Sequence, residues 1–300
     1  MQQVTLIGGS GFLGSYVCKA LCDAGYRVRI MCRHPNAASH LKLCGSMGQV
    51  GFVRGSIRSK EDVTQAMNGS IAVVNLTGIL YEKGKQHFDS IHHQGAANVA
   101  EATNAQNIEH LVHISALGID ASSKTSRYAK SKLAGEAAVK EHFPHAVILR
   151  PSIIIGAGDS FFNRFKAMAR FSPFLPLIGG GKTRFQPVYA GNVAKAVTQA
   201  IASHQYDGKT YELGGKHRHS FKLLMAFMLR KLGIKRALLP IPYPIAKIMG
   251  FFGGFLPTPP ITMDQVELMK YDNVVLDTEH DLHAFGITPK NLEEIVPTYL

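Results

Sequence analysis

Apolar and polar positions along the first half of the chain follow two rhythms. Short, largely apolar runs at 4–7, 27–33, 49–53, 71–76, 111–115 and 146–150 read as strands, as a sheet covered on both faces requires. Between them, over 15–24, 60–68, 87–105 and 127–142, the pattern changes to helical spacing. This alternation predicts an α/β fold, a doubly wound parallel sheet with its ligand at the carboxyl ends of the strands. The chain shows no internal repeat and no low-complexity segment.

The final third departs from this rhythm. Residues 211–215 read as a returning strand, Ser220 as a helix N-cap and 221–232 as a helix apolar on most faces. The stretch 238–256 is strongly apolar, but Pro240, Pro242 and Pro244 break its start and Lys247 interrupts its middle, so it is too broken to span a bilayer. Two readings stay open for it: a buried lid over a substrate cleft, or an interfacial helix over 245–255 that offers Phe251, Phe252 and Phe255 to lipid or to a membrane partner. The expected organisation is a main domain of 1–155 plus about 186–215, with a smaller C-terminal subdomain from 156–185 and 216–300.

Composition narrows the class. With 300 residues, 46% of them hydrophobic, a sizeable core is within reach and disorder is excluded. The net charge of +12 suits an anionic cofactor, nucleic acid or an anionic membrane face. No nucleic-acid-binding signature accompanies it and the basic residues are dispersed, which favours a membrane surface or an acidic assembly. Cys18, Cys22, Cys32 and Cys44 form no CxxC pair, and Lys216-His-Arg-His219 has no carboxylate pattern beside it, so reduced thiols and no metal site are expected. The first strand begins at once, so the chain is expected on the cytoplasmic side, with peripheral attachment to the inner membrane as a possibility its basic surface leaves open.

The chemistry starts at Gly8-Gly-Ser-Gly11-Phe-Leu-Gly14, directly after the first strand and at the opening of a helix. Glycines at these spacings allow the tight turn, the approach of backbone amides to a pyrophosphate and close packing of helix on strand. The helix N-terminus then faces the phosphates. About 20 residues further on, where NAD-binding sheets carry an acid for the ribose, the second strand ends at Cys32-Arg33 instead. Arg33 is suited to a 2′-phosphate, so NADP(H) is favoured over NAD(H); an arginine stacked on adenine or pointing to water is the alternative. Further along, Tyr128-Ala-Lys-Ser-Lys132 places a phenol and an ammonium on one helix face a turn apart. The ammonium is expected to lower the phenol pKa and make Tyr128 a usable acid or base.

These motifs, with Asn75-Leu-Thr-Gly78 and Leu149-Arg-Pro-Ser152, resemble the extended and atypical branches of the short-chain dehydrogenase/reductase superfamily. A narrower likeness lies in 150–165, 176–189, Thr262-Met-Asp-Gln-Val-Glu267 and Asp272-Asn-Val-Val275. These segments look like the family of the NAD(P)H-binding accessory subunit of respiratory complex I and its bacterial relatives, akin to proteins linked to ubiquinone biosynthesis. The resemblance implies a Rossmann-type fold and a tightly bound nucleotide serving structure or sensing more than turnover. It places the cofactor on Gly8, Ser10, Gly11, Phe12, Leu13, Gly14 and Arg33, on Gly55, Ser56 and Ile57, on Leu76, Thr77 and Gly78, and on Pro151, Ser152, Ile153 and Ile154. Tyr128 and Lys132 serve as catalytic pair or as holders of the nicotinamide ribose.

Three departures put turnover in question. Ala116 stands where active relatives carry a serine or threonine; Ser115, Ser122 and Ser123 are the available substitutes, but Ser115 should face the other way along its strand. His92 stands in place of a proton-relaying asparagine, and Asn192 in place of an acid. An active NAD(P)-dependent oxidoreductase or epimerase on an unknown small molecule is the alternative function.

Overall fold

The computed structural model describes residues 1–254, Leu256, Pro259 and 261–300. The chain runs β1 (Gln3–Ile7), α1 (Phe12–Asp23), β2 (Arg27–Cys32), β3 (Val50–Arg54), α2 (Lys60–Met67), β4 (Ser70–Asn75), α3 (Gln94–Ala105), β5 (His110–Ile114), α4 (Ile119–Ser122), α5 (Arg127–His142) and β6 (Val147–Pro151). It continues through β7 (Ile154–Ile155), α6 (Phe161–Phe171), β8 (Phe174–Ile178), β9 (Arg184–Phe185), β10 (Val188–Tyr189), α7 (Ala190–Ala202) and β11 (Thr210–Leu213). After β12 (His219–Ser220) come α8 (Phe221–Lys231), β13 (Ala237–Ile241), α9 (Tyr243–Gly253) and α10 (Met263–Leu268).

Seven parallel strands form the central sheet in the order β11-β6-β5-β4-β1-β2-β3. The chain starts in the middle, winds outward to β3, then returns to β4 and winds the other way, so β1 and β4 part at the sheet's switch point. Val4, Leu6 and Ile7 are fully buried, and helices cover both faces: α1 and α7 on one, α2, α3 and α5 on the other. Ser59 and Ser126 cap α2 and α5 by accepting hydrogen bonds from Asp62 N and Ala129 N, each at 3.1 Å. Helix α5 is tied to β6 by Arg150, whose guanidinium donates to both oxygens of buried Glu136 (2.8 and 2.7 Å) and to Asp120. The two carboxylates hold Arg150 firmly charged against the cost of its burial.

The helical reading of 87–105 meets one exception. Residues Asp89–His93 form a π-turn before α3, and the extra residue rotates His92 inward. A second core lies between α6, β8, α8 and residues 292–300, centred on Phe162, Phe221, Leu224 and Met228. Leu282, Phe285 and Ile287 pack instead in the main core, where Phe285 stacks on Tyr206 at 4.5 Å. The 216–300 segment is thus shared between both cores.

Helix α9 sits on small residues. Ala246, Gly250 and Gly253 are buried, and a Cβ on Gly250 would come within 2.7 Å of Met263 N. Lys247 pairs with Glu267 at 2.6 Å and Tyr243 Oη donates to Met269 O at 3.0 Å. Of the expected 245–255 helix, residues 245–253 are observed helical and Phe255 lies outside the described residues. Ile245, Ile248, Phe251 and Phe252 are all at least half exposed. The helix is thus buried along Ala246, Gly250 and Gly253 and exposed along Ile245, Ile248, Phe251 and Phe252. Among the described residues no helix is long and apolar enough to cross a membrane.

Candidate functional site

The turn after β1 is built around two backbone contacts. Gly8 has φ +75°, its N–H donates to Met31 O at 3.0 Å, and a Cβ there would strike Thr77 Oγ1 at 2.5 Å. A Cβ on Gly14 would come within 2.0 Å of Gly9 O, so α1 packs against the turn as closely as glycine allows. Gly11, the N-cap of α1, is exposed, has open space where a Cβ would sit and offers no capping side chain. The first-turn amides therefore face outward without a side-chain acceptor, which is the arrangement a pyrophosphate fits.

The other expected cofactor positions fall along the same sheet edge. Ser10 and Arg33 are exposed, and Arg33 follows the last residue of β2 directly. After β3, Gly55 N donates to Cys32 O (3.1 Å) and Ser56 N to Asp62 (2.9 Å). The Ile57 side chain turns into the core against Gly95, and its carbonyl accepts from Asn98. Thr77 Oγ1 donates to Ile7 O (3.3 Å), which ties the β4 loop to the β1 turn.

Phe12, Leu13, Leu76, Thr77 and Gly78 meet Tyr128 and Lys132 on the wall of one cavity of about 740 Å³, and Pro151, Ser152, Ile153 and Ile154 complete that wall. Lys132 is buried, and its Nζ donates to Ile114 O at 3.0 Å. Desolvation pulls its ammonium down to about 8, with Glu136 opposing the shift. The Tyr128 phenol moves the opposite way from the expectation, up to about 12. Burial is the first cause and the Asp264 carboxylate the second. Asp264 reaches across from α10 to accept from Ser126 Oγ (2.8 Å), Arg127 N (2.6 Å) and Tyr128 N (3.2 Å), capping α5. The sequence offered no local sign of this partner. The nearest signal was the Thr262-x-x-Gln265 capping box that orients α10.

His92 is fixed by hydrogen bonds on both ring nitrogens. Its Nε2 accepts from Ile79 N at 3.0 Å, which leaves the ring proton on Nδ1, 2.8 Å from Ser131 Oγ; that hydroxyl donates in turn to Tyr128 O at 2.8 Å. The ring stacks on Phe88 and meets Tyr128 edge-on at 5.3 Å. Burial, and secondarily Lys132, hold its pKa down to about 2, which keeps the ring neutral. His113 behaves likewise: buried, down to about 3, with Nδ1 accepting from Asn75 Nδ2 at 3.2 Å.

Of the hydroxyl-bearing residues near Ala116, Ser115 and Ser122 stand with it on the wall of the same cavity. Ser115 Oγ is sealed from solvent with no protein partner. Ser122 Oγ donates to Gly118 O and Ser123 Oγ to Asp120 O, both within the α4 turn. Asn192 is buried with its Nδ2 unpartnered. Asn273, in a segment singled out by the sequence, closes the site from the C-terminal side: its side chain donates to Leu117 O at 2.6 Å and accepts from Ser152 at 2.5 Å. The four cysteines are free thiols. One group among the described residues, Glu109, His110 and His204, has the spacing of metal ligands, and it lies at the opposite, amino end of β5.

A model described as the NAD dependent epimerase/dehydratase family matches residues 4–214. The chain is 34% identical to NADH dehydrogenase (ubiquinone) 1 alpha subcomplex subunit 9, mitochondrial, of Arabidopsis thaliana, over 96% of this chain and 75% of that protein. The dTDP-glucose 4,6-dehydratase DesIV of Streptomyces venezuelae, solved with NAD, superposes with a TM-score of 0.76 at 15% identity, covering 99% of this chain and 95% of its own. The triphenylmethane reductase of a Citrobacter species, solved with NADP(H), gives 0.74 at 19% identity over 99% and 100%.

Proposed function

The chain belongs to the NAD-dependent epimerase/dehydratase family, on the branch that includes the mitochondrial NADH dehydrogenase subunit, and from that premise we propose that it holds a nicotinamide dinucleotide and turns it over slowly or not at all. In this reading it serves as an accessory protein of a respiratory or quinone-related complex at a membrane surface. The observation that carries the proposal is the wiring of α5. In this reading Tyr128 and Lys132 hold the nicotinamide ribose, while burial and Asp264 push the phenol up to about 12, far from the neutral pH at which an acid–base residue works best. When bound, the nucleotide supplies hydride chemistry. The amides of the Gly8–Gly14 turn would take its pyrophosphate, and Tyr128 and Lys132 its ribose.

Arg33 supports NADP(H) over NAD(H), because an exposed guanidinium at the end of β2 suits a 2′-phosphate and no acid occupies that position. Similarity over 96% of this chain and 75% of the mitochondrial NADH dehydrogenase subunit supports the assembly role. The deciding experiment is mild purification from the native cells, identifying both bound nucleotide and co-purifying proteins. Respiratory-complex subunits with nucleotide at stoichiometry are the expected result. A second reading, an active reductase, draws on the open cavity beside Tyr128. Absence of partners together with substrate-dependent NADPH consumption would establish it instead.

A further inference from the structure

The cavity at Tyr128 extends well beyond the space a nicotinamide needs, and its outer part is apolar. From α6 come Phe161, Phe165 and Met168, and Phe185 and Phe221 join Phe161 and Phe165 in one aromatic cluster of the lining. Its charged lining residues are already engaged. Lys132 donates to Ile114 O, Asp272 pairs with Arg184 at 2.7 Å, and Arg164 has a partner as well. Ser152, Ser122 and Asn273 are committed to protein acceptors, while the buried Ser115 hydroxyl next to Ala116 has no protein partner and is one polar group left for a ligand. A site for a sugar or another hydroxyl-rich metabolite needs polar groups left available to it.

The mouth points the same way. Leu80, Phe174 and Met249 line the cavity and are also 46%, 42% and 42% exposed, so three large apolar side chains stand at its rim, with exposed Ser160 and Asp272 as its polar members. Met249 lies on α9, whose neighbouring residues Ile245, Ile248 and Phe252 are 50%, 59% and 66% exposed. The interior apolar surface thus reaches the outer apolar face of α9 at Met249, offering a path from a lipid phase to Tyr128.

We propose that this cavity takes a long-chain lipid, an aliphatic or isoprenoid chain with an oxygen-bearing end, that enters past Met249 and lodges its polar end beside Tyr128. The proposal rests on the reading of the Tyr128 end as the nicotinamide end of the nucleotide site. The test titrates the full chain with cis-parinaric acid, a long polyene that fluoresces in apolar surroundings. NADPH binding is measured by calorimetry on the same sample. Saturable binding is expected, displaced by palmitate and not by hexanoate. Met249→Asp should weaken it at least tenfold with melting temperature and NADPH affinity unchanged. Phe165→Asp should abolish it, and because that variant risks unfolding, the rim substitution decides. NADPH binding without saturable parinarate binding, equal affinity in Met249→Asp, or hexanoate competing as well as palmitate would each overturn the lipid proposal. Failure to bind NADPH would instead overturn the nucleotide reading, and the parinarate titration would still decide whether a lipid enters.

Discussion

Replacing His92 by phenylalanine separates a structural histidine from a catalytic one. The phenyl ring keeps the stack on Phe88 but leaves Ile79 N–H without its acceptor and Ser131 without its donor. Losing one partner of a buried hydrogen bond costs about 1–3 kcal/mol, so with two such bonds lost the variant should be less stable by about 2–6 kcal/mol at pH 7.5. The pH dependence is sharper. His92 is held down to about 2 in the fold against 6.5 unfolded, so between those values the unfolded chain binds the extra proton. Its contribution is fully present above pH 6.5 and is lost as the pH falls toward 2. At pH 5, 1.5 units below the unfolded value, His92 has cost the native protein about 2 kcal/mol at 1.36 kcal/mol per unit. His113 follows the same rule but is present in both proteins and cancels. Urea unfolding at several pH values between 7.5 and 5 should show the deficit of His92→Phe shrinking by about 2 kcal/mol. A difference that stays constant over this range would refute a neutral, buried His92.

Three further outcomes test other parts of the structure. Arg33→Ala should weaken NADPH binding by about 1.5–3 kcal/mol, the range for a charge-assisted hydrogen bond, with little change for NADH; equal losses in calorimetry would remove Arg33 from discrimination. Gly14→Ala places a methyl within 2.0 Å of Gly9 O and should displace the start of α1, so that nucleotide affinity falls much more than helix content measured by circular dichroism. Intact affinity would disprove the amide cradle. Phe251→Ser combined with Phe252→Ser should release the protein from anionic liposomes in flotation without lowering its melting temperature, because both rings are at least half exposed. The native chain should float at low salt and less at high salt, each Lys or Arg near the surface adding about 1 kcal/mol; a native chain that never floats counts against the membrane face.

The residues of the chain itself determined the doubly wound sheet, the glycine turn and the Tyr128–Lys132 pair, because each depends on spacing along the chain. The strand period, the helical period and the need for glycine at Gly8 and Gly14 are local constraints written in consecutive residues. The tertiary structure decided what those residues do. Tyr128 and Lys132 share a helix face as their spacing required, but burial and Asp264, from a helix more than a hundred residues later, move the phenol up, and the ammonium donates to Ile114 O. His92 is an anchor because it sits in a π-turn and accepts from Ile79 N–H, and α9 has one buried and one exposed side because Ala246, Gly250 and Gly253 choose its buried face. Dielectric, hydrogen-bond partners and exposed faces are set by neighbours in space, and no local pattern encodes which distant residues those will be.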